Sequence, residues 1–209
     1  MCKLIVVTNR KLCRENFLDR IEMLCRIGVD AIVLREKDMT EEAYTALAEK
    51  VLAVCQPYAT DCVLHHFVAS ARKLGEKRVH LSIPDLQKHQ EETADFALRG
   101  ASVHSVEQLK VAEDCYADYV FYGHIFPTDC KKGVPARGIT GLKTICSQTA
   151  MPVYAIGGIS RGNAKETILA GASGVCIMSL GMQAEKEELK AFVQYCHEMD
   201  LSFSTEKNQ

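Results

Sequence analysis

Short apolar runs alternate with amphipathic stretches from one end of the chain to the other. The apolar runs cover 3–8, 30–36, 61–66, 78–82, 96–103, 118–124, 152–157 and 174–179, and their length and composition predict strands. The stretches at 14–27, 40–55, 67–74, 106–114, 139–149, 161–170 and 184–198 read as helices, and a further helix is expected around 85–92. In 40–55, Ala43, Leu47, Val51 and Val54 recur at three- and four-residue steps, so one face is apolar. Thr40, followed by Glu41 and Glu42, supplies an N-terminal cap. Eight strand-then-helix units without a linker predict an α/β fold, a single (β/α)8 TIM barrel spanning 1–209. The barrel proper is expected at about 3–198, with 200–209 as a flexible tail. A doubly wound open sheet is the alternative. It usually needs fewer strands, and no GxGxxG follows the first one.

Composition narrows the function. Hydrophobic residues make up 47% of the 209, enough for a large core, and the formal net charge is −2. Neither a basic surplus nor a basic cluster with interleaved aromatics points to nucleic acid. No apolar run is long enough to span a bilayer, and no signal peptide is expected, so the reading is cytoplasmic. The 10 cysteines are scattered without a CxxC, which predicts reduced, mostly buried thiols rather than a zinc or redox motif. Cys130 stands apart because it falls in a long polar loop.

That loop belongs to the most informative segment, Tyr122 to Gly138. A strand ends at Gly123 and presents His124, and a long loop with Lys131, Lys132 and Arg137 follows. Loops of this length are uncommon unless they act as lids or binding loops. A histidine at a strand end beside a cationic flap suits proton transfer on an anion. In a barrel, chemistry sits at the C-terminal ends of the strands, and five of the 7 histidines fall there: His65, His66, His80, His104 and His124. Arg35 and Lys37, two apart, project to the same side, and Glu36 faces away. The pair reads as an anion site. Gly157 and Gly158 after strand seven, and Met178 and Ser179 at the end of strand eight, form glycine-rich turns whose backbone N–H groups suit a phosphate. The histidines could instead form a metal cluster, with His80 and His104 joined by Asp85. Adjacent His65 and His66 point to opposite sides, which argues against that.

Taken together, these residues resemble the thiamin phosphate synthase/TenI superfamily of barrels up to about Gln183. The resemblance rests on Leu34-Arg35-Glu36-Lys37, Val79-His80-Leu81, Ser102-Val103-His104-Ser105, Phe126-Pro127-Thr128 with Lys131-Lys132, Ala155-Ile-Gly-Gly-Ile159 and Ala170-Gly171-Ala172. It implies one of two activities. Synthases join a pyrimidine diphosphate to a thiazole phosphate with Mg²⁺. The TenI branch tautomerises a carboxythiazole phosphate to its aromatic form. The chain departs from the synthase pattern where Val33 replaces a glutamine and His65-His66 replaces Asn-Asp, whose aspartate ligates Mg²⁺. It departs again where Ser82-Ile83-Pro84-Asp85 keeps only the aspartate of Gly-Gln-x-Asp, and where Thr128-Asp129-Cys130-Lys131 replaces Thr-x-Thr-Lys. One carboxylate suits a Mg²⁺-diphosphate poorly. The segment GHIFPTDCKKG looks like the TenI signature, and its histidine maps onto His124.

The resemblance therefore implies a thiazole tautomerase-like isomerase of thiamin biosynthesis, with His124 as its acid/base residue. Arg35 and Lys37 are expected to hold the carboxylate, with Lys131 as the alternative when the flap closes. Ser102 and Thr128 join the substrate contacts, and Gly157, Gly158, Met178 and Ser179 hold the phosphate. No cofactor or metal is implied; Mg²⁺ enters only under the synthase alternative. A non-catalytic phosphate-binding barrel is a third reading. The expected partner is a small phosphorylated thiazole, without nucleic acid or membrane, and a homodimer is compatible with the sequence.

Overall fold

In the computed structural model, residues 2–206 are described, with side chains over residues 2–199. Eight parallel strands close into a barrel in sequence order: β1 (Lys3–Val7), β2 (Ala31–Leu34), β3 (Asp61–His65), β4 (Arg78–Ser82), β5 (Leu98–Val103), β6 (Tyr119–Gly123), β7 (Val153–Ile156) and β8 (Gly174–Ile177). The helices between and after them are α1 (Phe17–Arg26), α2 (Glu41–Cys55), α3 (Val68–Lys73), α4 (Ile83–Lys88), α5 (Val106–Asp114), α6 (Gly138–Ser147), α7 (Ala164–Leu169), α8 (Ser179–Gln183) and α9 (Lys186–Glu206). This is the predicted (β/α)8 barrel, and every expected strand is present. The tail expected at 200–209 lies outside the described side chains, and 207–209 lie outside the described residues altogether.

Alternation along the strands divides the apolar residues into two layers. Leu4, Val6, Ile32, Leu34, Leu64 and Leu81 point outward and are fully covered by the helices. Ile5, Val7, Val33, Val63, Tyr119 and Phe121 point inward and fill the barrel. One strand with period 2 thus serves both cores. Helix starts follow the capping residues. The Thr40 side chain accepts from the Ala43 N–H, and Ser82 and Ser105 cap α4 and α5 in the same way.

Two expectations about element bounds shift. The run 30–36 was expected to be strand throughout, but β2 stops at Leu34. Beyond it the Glu36 carboxylate, 2% exposed, accepts from the Thr8 hydroxyl at 2.8 Å and from the Arg10 backbone at 2.9 Å. The chain leaves the ladder to make these bonds, and Arg35 and Lys37 are held past the strand end. The helix expected around 85–92 instead begins at Ile83, where Ser82 caps it and Pro84 sits in the first turn.

Candidate active site

The strand ends, the flap and the β8–α8 junction enclose a cavity of about 620 Å³. Its volume is in the range of small-molecule sites. Arg35, Lys37, Ser102, His124, Thr128, Lys131, Gly157, Gly158, Met178 and Ser179 all line it, so the structure brings every sequence-predicted site residue to one place. His65, His80, His104, Gln108, Cys130 and Phe121 line it too. No aspartate or glutamate is among its lining residues.

His124 is 8% exposed and sits directly after β6. Its backbone is held from several directions. The Gly123 carbonyl accepts from Arg137 Nε at 3.0 Å and from His104 Nδ1 at 2.9 Å, and the Gly123–His124 peptide is cis. The His124 carbonyl accepts from the Arg137 N–H at 2.9 Å, and Ile125 and Phe126 donate to Ile156 and Gly157. The flap root is therefore an extension of the barrel, and only the stretch beyond it projects. Gly157 must be glycine here: its φ is +96°, and a Cβ would meet His124 Cβ at 2.3 Å. The glycine predicted for phosphate contact thus also makes room for the histidine.

The His124 ring has one hydrogen bond, from Nε2 to the Val134 carbonyl of the flap at 3.1 Å. A carbonyl only accepts, so Nε2 carries the hydrogen and Nδ1 is left as the basic nitrogen. Cys130, at the flap tip, lies 3.3 Å from the Ser179 hydroxyl and ties the flap to the β8 end. Arg137 departs from expectation. Read as a flap cation with Lys131 and Lys132, it is instead turned to the flap root, where Gly123 occupies its guanidinium.

On the opposite wall, Lys37 keeps solvent contact, yet it is crowded by protein atoms. That burial, with Arg35 and Lys131 nearby, lowers its pKa below the usual lysine value. Three cations line the mouth; the nearby Asp85 carboxylate, whose charge acts on Lys37, offsets part of that charge, and the remaining positive charge suits an anion. The floor is different. His80 is held between the Tyr119 hydroxyl at 3.2 Å and the Ser102 hydroxyl at 2.8 Å. Burial drops its pKa to about 3 and, with the nearby His80 and Lys37, pushes the His65 pKa well below 6.5. Both imidazoles are neutral. His80 is thus the hydrogen-bonded core histidine that the sequence suggested, and Ser102 has one partner already.

The expected strand alternation of His65 and His66 does not hold: β3 ends at His65, His66 takes a left-handed backbone with φ at +74°, and the two ring centroids lie 6.4 Å apart. The His66 Nδ1 meets Asp85 at 2.8 Å, and the Ser82 hydroxyl donates to the same carboxylate oxygen at 2.7 Å. Burial tends to raise the Asp85 pKa, but these bonds and Lys37 bring it below the usual aspartate value. Asp85 is therefore engaged with protein groups, and among the described residues no cluster of three or more His, Cys, Asp or Glu could hold a metal ion. Both bonds fall on one Asp85 oxygen, and a single partly engaged carboxylate is a sparse site for Mg²⁺ with a diphosphate, which ordinarily uses one or two carboxylates with the phosphates. The expected burial of the cysteines is seen at Cys2, Cys25, Cys55, Cys62, Cys115, Cys176 and Cys196, and Cys130 is exposed. Among the described residues, no helix is long and apolar enough to cross a membrane.

Known proteins resemble the chain along most of its length. A family model described as thiamine monophosphate synthase matches residues 4–180. The chain is 32% identical over 200 residues to thiamine-phosphate synthase 2 of Streptococcus pneumoniae, covering 93% of this chain and 95% of that one. It is 32% identical over 193 residues to the thiamine-phosphate synthase of Fusobacterium nucleatum, covering 91% and 93%. The structure of thiamine phosphate pyrophosphorylase from Pyrococcus furiosus superimposes with a TM-score of 0.84 at 28% identity, over 94% of this chain and 96% of that one. A barrel described as KDPGal, at 13% identity and a TM-score of 0.69, shares the fold. A matching family model over most of the barrel, and relatives at this identity over almost their full length, establish that the chain belongs to the thiamine monophosphate synthase (TMP-TENI) family.

Proposed function

We propose that this protein acts in thiamin biosynthesis as an isomerase that aromatises a carboxythiazole phosphate by proton transfer through His124. The observation that carries the reading is the cavity's charge pattern. Arg35, Lys37 and Lys131 surround it, His124 enters it, and no carboxylate lines it. Such a site accepts a substrate with two anionic groups and offers a base, but it has only one nearby carboxylate, Asp85, to offer a divalent metal.

The chemistry is balanced without a redox partner. His124 Nδ1 takes the proton from the ring carbon bearing the carboxylate. The released pair shifts through the ring into the exocyclic double bond, whose far carbon takes a proton. The same imidazole can deliver it, so the residue is regenerated at the end of the cycle. Positioned acid/base catalysis of this kind contributes roughly 10²–10⁴-fold. Arg35 and Lys37 hold the carboxylate on one wall. The backbone N–H groups near Gly158 and Ser179 hold the phosphate on the other. Lys131, carried by the flap, closes over the substrate, and the flap excludes water from the carbanion.

A second reading has its own support. The named relatives at 32% identity are thiamine-phosphate synthases, which favours a transferase that joins a pyrimidine diphosphate to a thiazole phosphate. The two readings separate in a paired assay. One arm supplies the carboxythiazole phosphate alone, and the other supplies pyrimidine diphosphate, thiazole phosphate and Mg²⁺. The isomerase reading expects aromatic product in the first arm and at most traces of thiamin phosphate in the second. The reverse outcome establishes the transferase.

A further inference from the structure

The first turn of α5 carries a donor that its own fold does not use. Ser105-Val106-Glu107-Gln108 has the S-x-x-Q spacing of a capping box. The Ser105 hydroxyl accepts from the Gln108 N–H at 3.3 Å, and the Gln108 side chain reaches back, its Oε1 accepting from the His104 N–H at 2.8 Å. That bond fixes the carboxamide, with the oxygen towards the backbone and Nε2 turned the other way. Gln108 is partly buried and lines the cavity. Among the described residues its Nε2 has no hydrogen-bond partner, and unlike the sealed His65 Nδ1 it keeps solvent contact.

A cap needs only the acceptor. Glutamate would supply it as well, and its charge would favour a helix N-terminus. Glutamine gives up that gain and presents two N–H donors instead. They stand close to the reacting centre. His104, whose N–H the carboxamide holds, donates from Nδ1 to the Gly123 carbonyl at 2.9 Å, and the next residue is His124. The strands close in sequence order, so the β5 end lies between the Arg35–Lys37 wall after β2 and the phosphate turns of β7 and β8. A substrate whose two anionic arms reach those walls turns one edge of its ring towards β1 and the other towards β3–β6.

We propose that Gln108 is a substrate-binding residue that donates a hydrogen bond from Nε2 to the ring nitrogen of the bound thiazole phosphate. This rests on the proposed site and deepens it. The cations read the anionic arms, and Gln108 reads the ring and sets which way it faces His124. The ligand class is a phosphorylated heterocycle with an acceptor nitrogen. A ring without that nitrogen strips water from the donor and leaves it unpaired, which a site built this way rejects.

The test uses the full chain, with thiazole phosphate as the probe because both readings of the function place it in this cavity. In ¹⁵N-labelled wild type, the Gln108 side-chain amide pair, assigned through its own backbone, shifts on saturation with thiazole phosphate. Inorganic phosphate leaves it in place. Two variants separate the donor from the cap. Gln108→Leu removes both, and Gln108→Glu keeps an acceptor for the His104 N–H while removing the donor. Each weakens thiazole phosphate binding by at least about tenfold, the loss of one hydrogen bond, and kcat/KM for the carboxythiazole phosphate falls with it. A Gln108→Glu that binds as wild type reduces the side chain to a cap, and a Gln108→Leu that binds as wild type reduces it to neutral lining. Either overturns the inference, as does an amide pair that stays unmoved at saturation or moves as far with inorganic phosphate. The NMR arm needs only wild type, so a variant that fails to fold leaves the inference open to refutation. A shifted amide pair without tautomerisation refutes the isomerase reading and keeps the role of Gln108. Tautomerisation with an unmoved pair does the opposite.

Discussion

Two cavities of similar size lie at the two ends of the barrel, and they treat charge in opposite ways. The one at the N-terminal ends of β3 and β4, about 580 Å³, contains Arg78 with Glu49, Asp61 and Glu76 in its walls. Arg78 meets Asp61 at 2.6 Å and Glu76 at 2.9 Å, and these two carboxylates raise its pKa above the usual arginine value. The cavity at the C-terminal ends, about 620 Å³, contains three cations and no lining acid. Concavity alone therefore marks nothing. The informative difference is that the cation at one end is already paired with the protein's own carboxylates, whereas the cations at the other line a cavity whose walls hold no acid. That contrast supports the proposed site at the strand C-termini, where (β/α)8 barrels place their chemistry.

The largest effect that can break this contrast is at His124. His124→Asn keeps a polar group of similar reach but cannot shuttle protons, so the saturating rate of tautomerisation falls by about 10²–10⁴. Binding of the aromatic phosphate changes little, because its anchors are elsewhere. An unchanged rate with disturbed flap order would reduce His124 to a tether for Val134. Next in size is the cation wall. Arg35→Gln raises KM for the carboxylated substrate by about ten- to a hundredfold, the loss of a charge-assisted bond. Arg78→Gln at the other end leaves KM unchanged and alters stability by less than about 1 kcal/mol.

The buried imidazoles give an acid signature. His65 and His80 are neutral in the folded protein, with pKa values below the unfolded value of about 6.5. The unfolded chain binds more protons below that pH. Stability is thus fully present above it and falls as pH drops towards the native values, near 3 for His80, by roughly 1.4 kcal/mol per pH unit for each histidine. Chemical denaturation between pH 7 and 4 measures this slope, and His80→Asn removes one histidine's share. A smaller effect concerns Lys37. Its lowered pKa means that the ammonium is lost at lower pH than an ordinary lysine loses it. Affinity for the anion accordingly weakens as pH rises through that value, and anion binding takes up protons. Lys37→Arg stays charged and flattens the profile, which calorimetry at several pH values detects.

The sequence showed the fold more fully than the site. Continuous apolar runs marked the eight strands, because a barrel strand is buried on both faces, and three- and four-residue steps marked the long helix at 40–55. The short helices were harder. α8, of 5 residues, arises in a glycine-rich run that carries no periodicity of its own. The rim residues Arg35, Lys37, His124 and Lys131 were legible because charged or titratable groups at strand ends have few structural reasons to be there. The floor was not. That His80 is neutral, that His65 Nδ1 lacks a partner, and that Arg137 turns to the flap root all depend on contacts between strands distant in sequence. His66 falls between. Alternation would have put it opposite His65, but the strand ends before it and its left-handed backbone brings the two ring centroids to 6.4 Å, and its union with Asp85 needed the α4 start to be known. That union matters for function, because it engages the one carboxylate that the synthase pattern had left in this region.

The most direct test of the account follows protons. Wild-type protein is given the carboxythiazole phosphate in D₂O without added metal, and the product is read by ¹H NMR. Proton transfer through an imidazole that exchanges with solvent predicts an aromatic product with one deuterium on the former exocyclic carbon. If the substrate is recovered unchanged, while Mg²⁺ and pyrimidine diphosphate convert thiazole phosphate to thiamin phosphate at ordinary rates, the isomerase account is wrong.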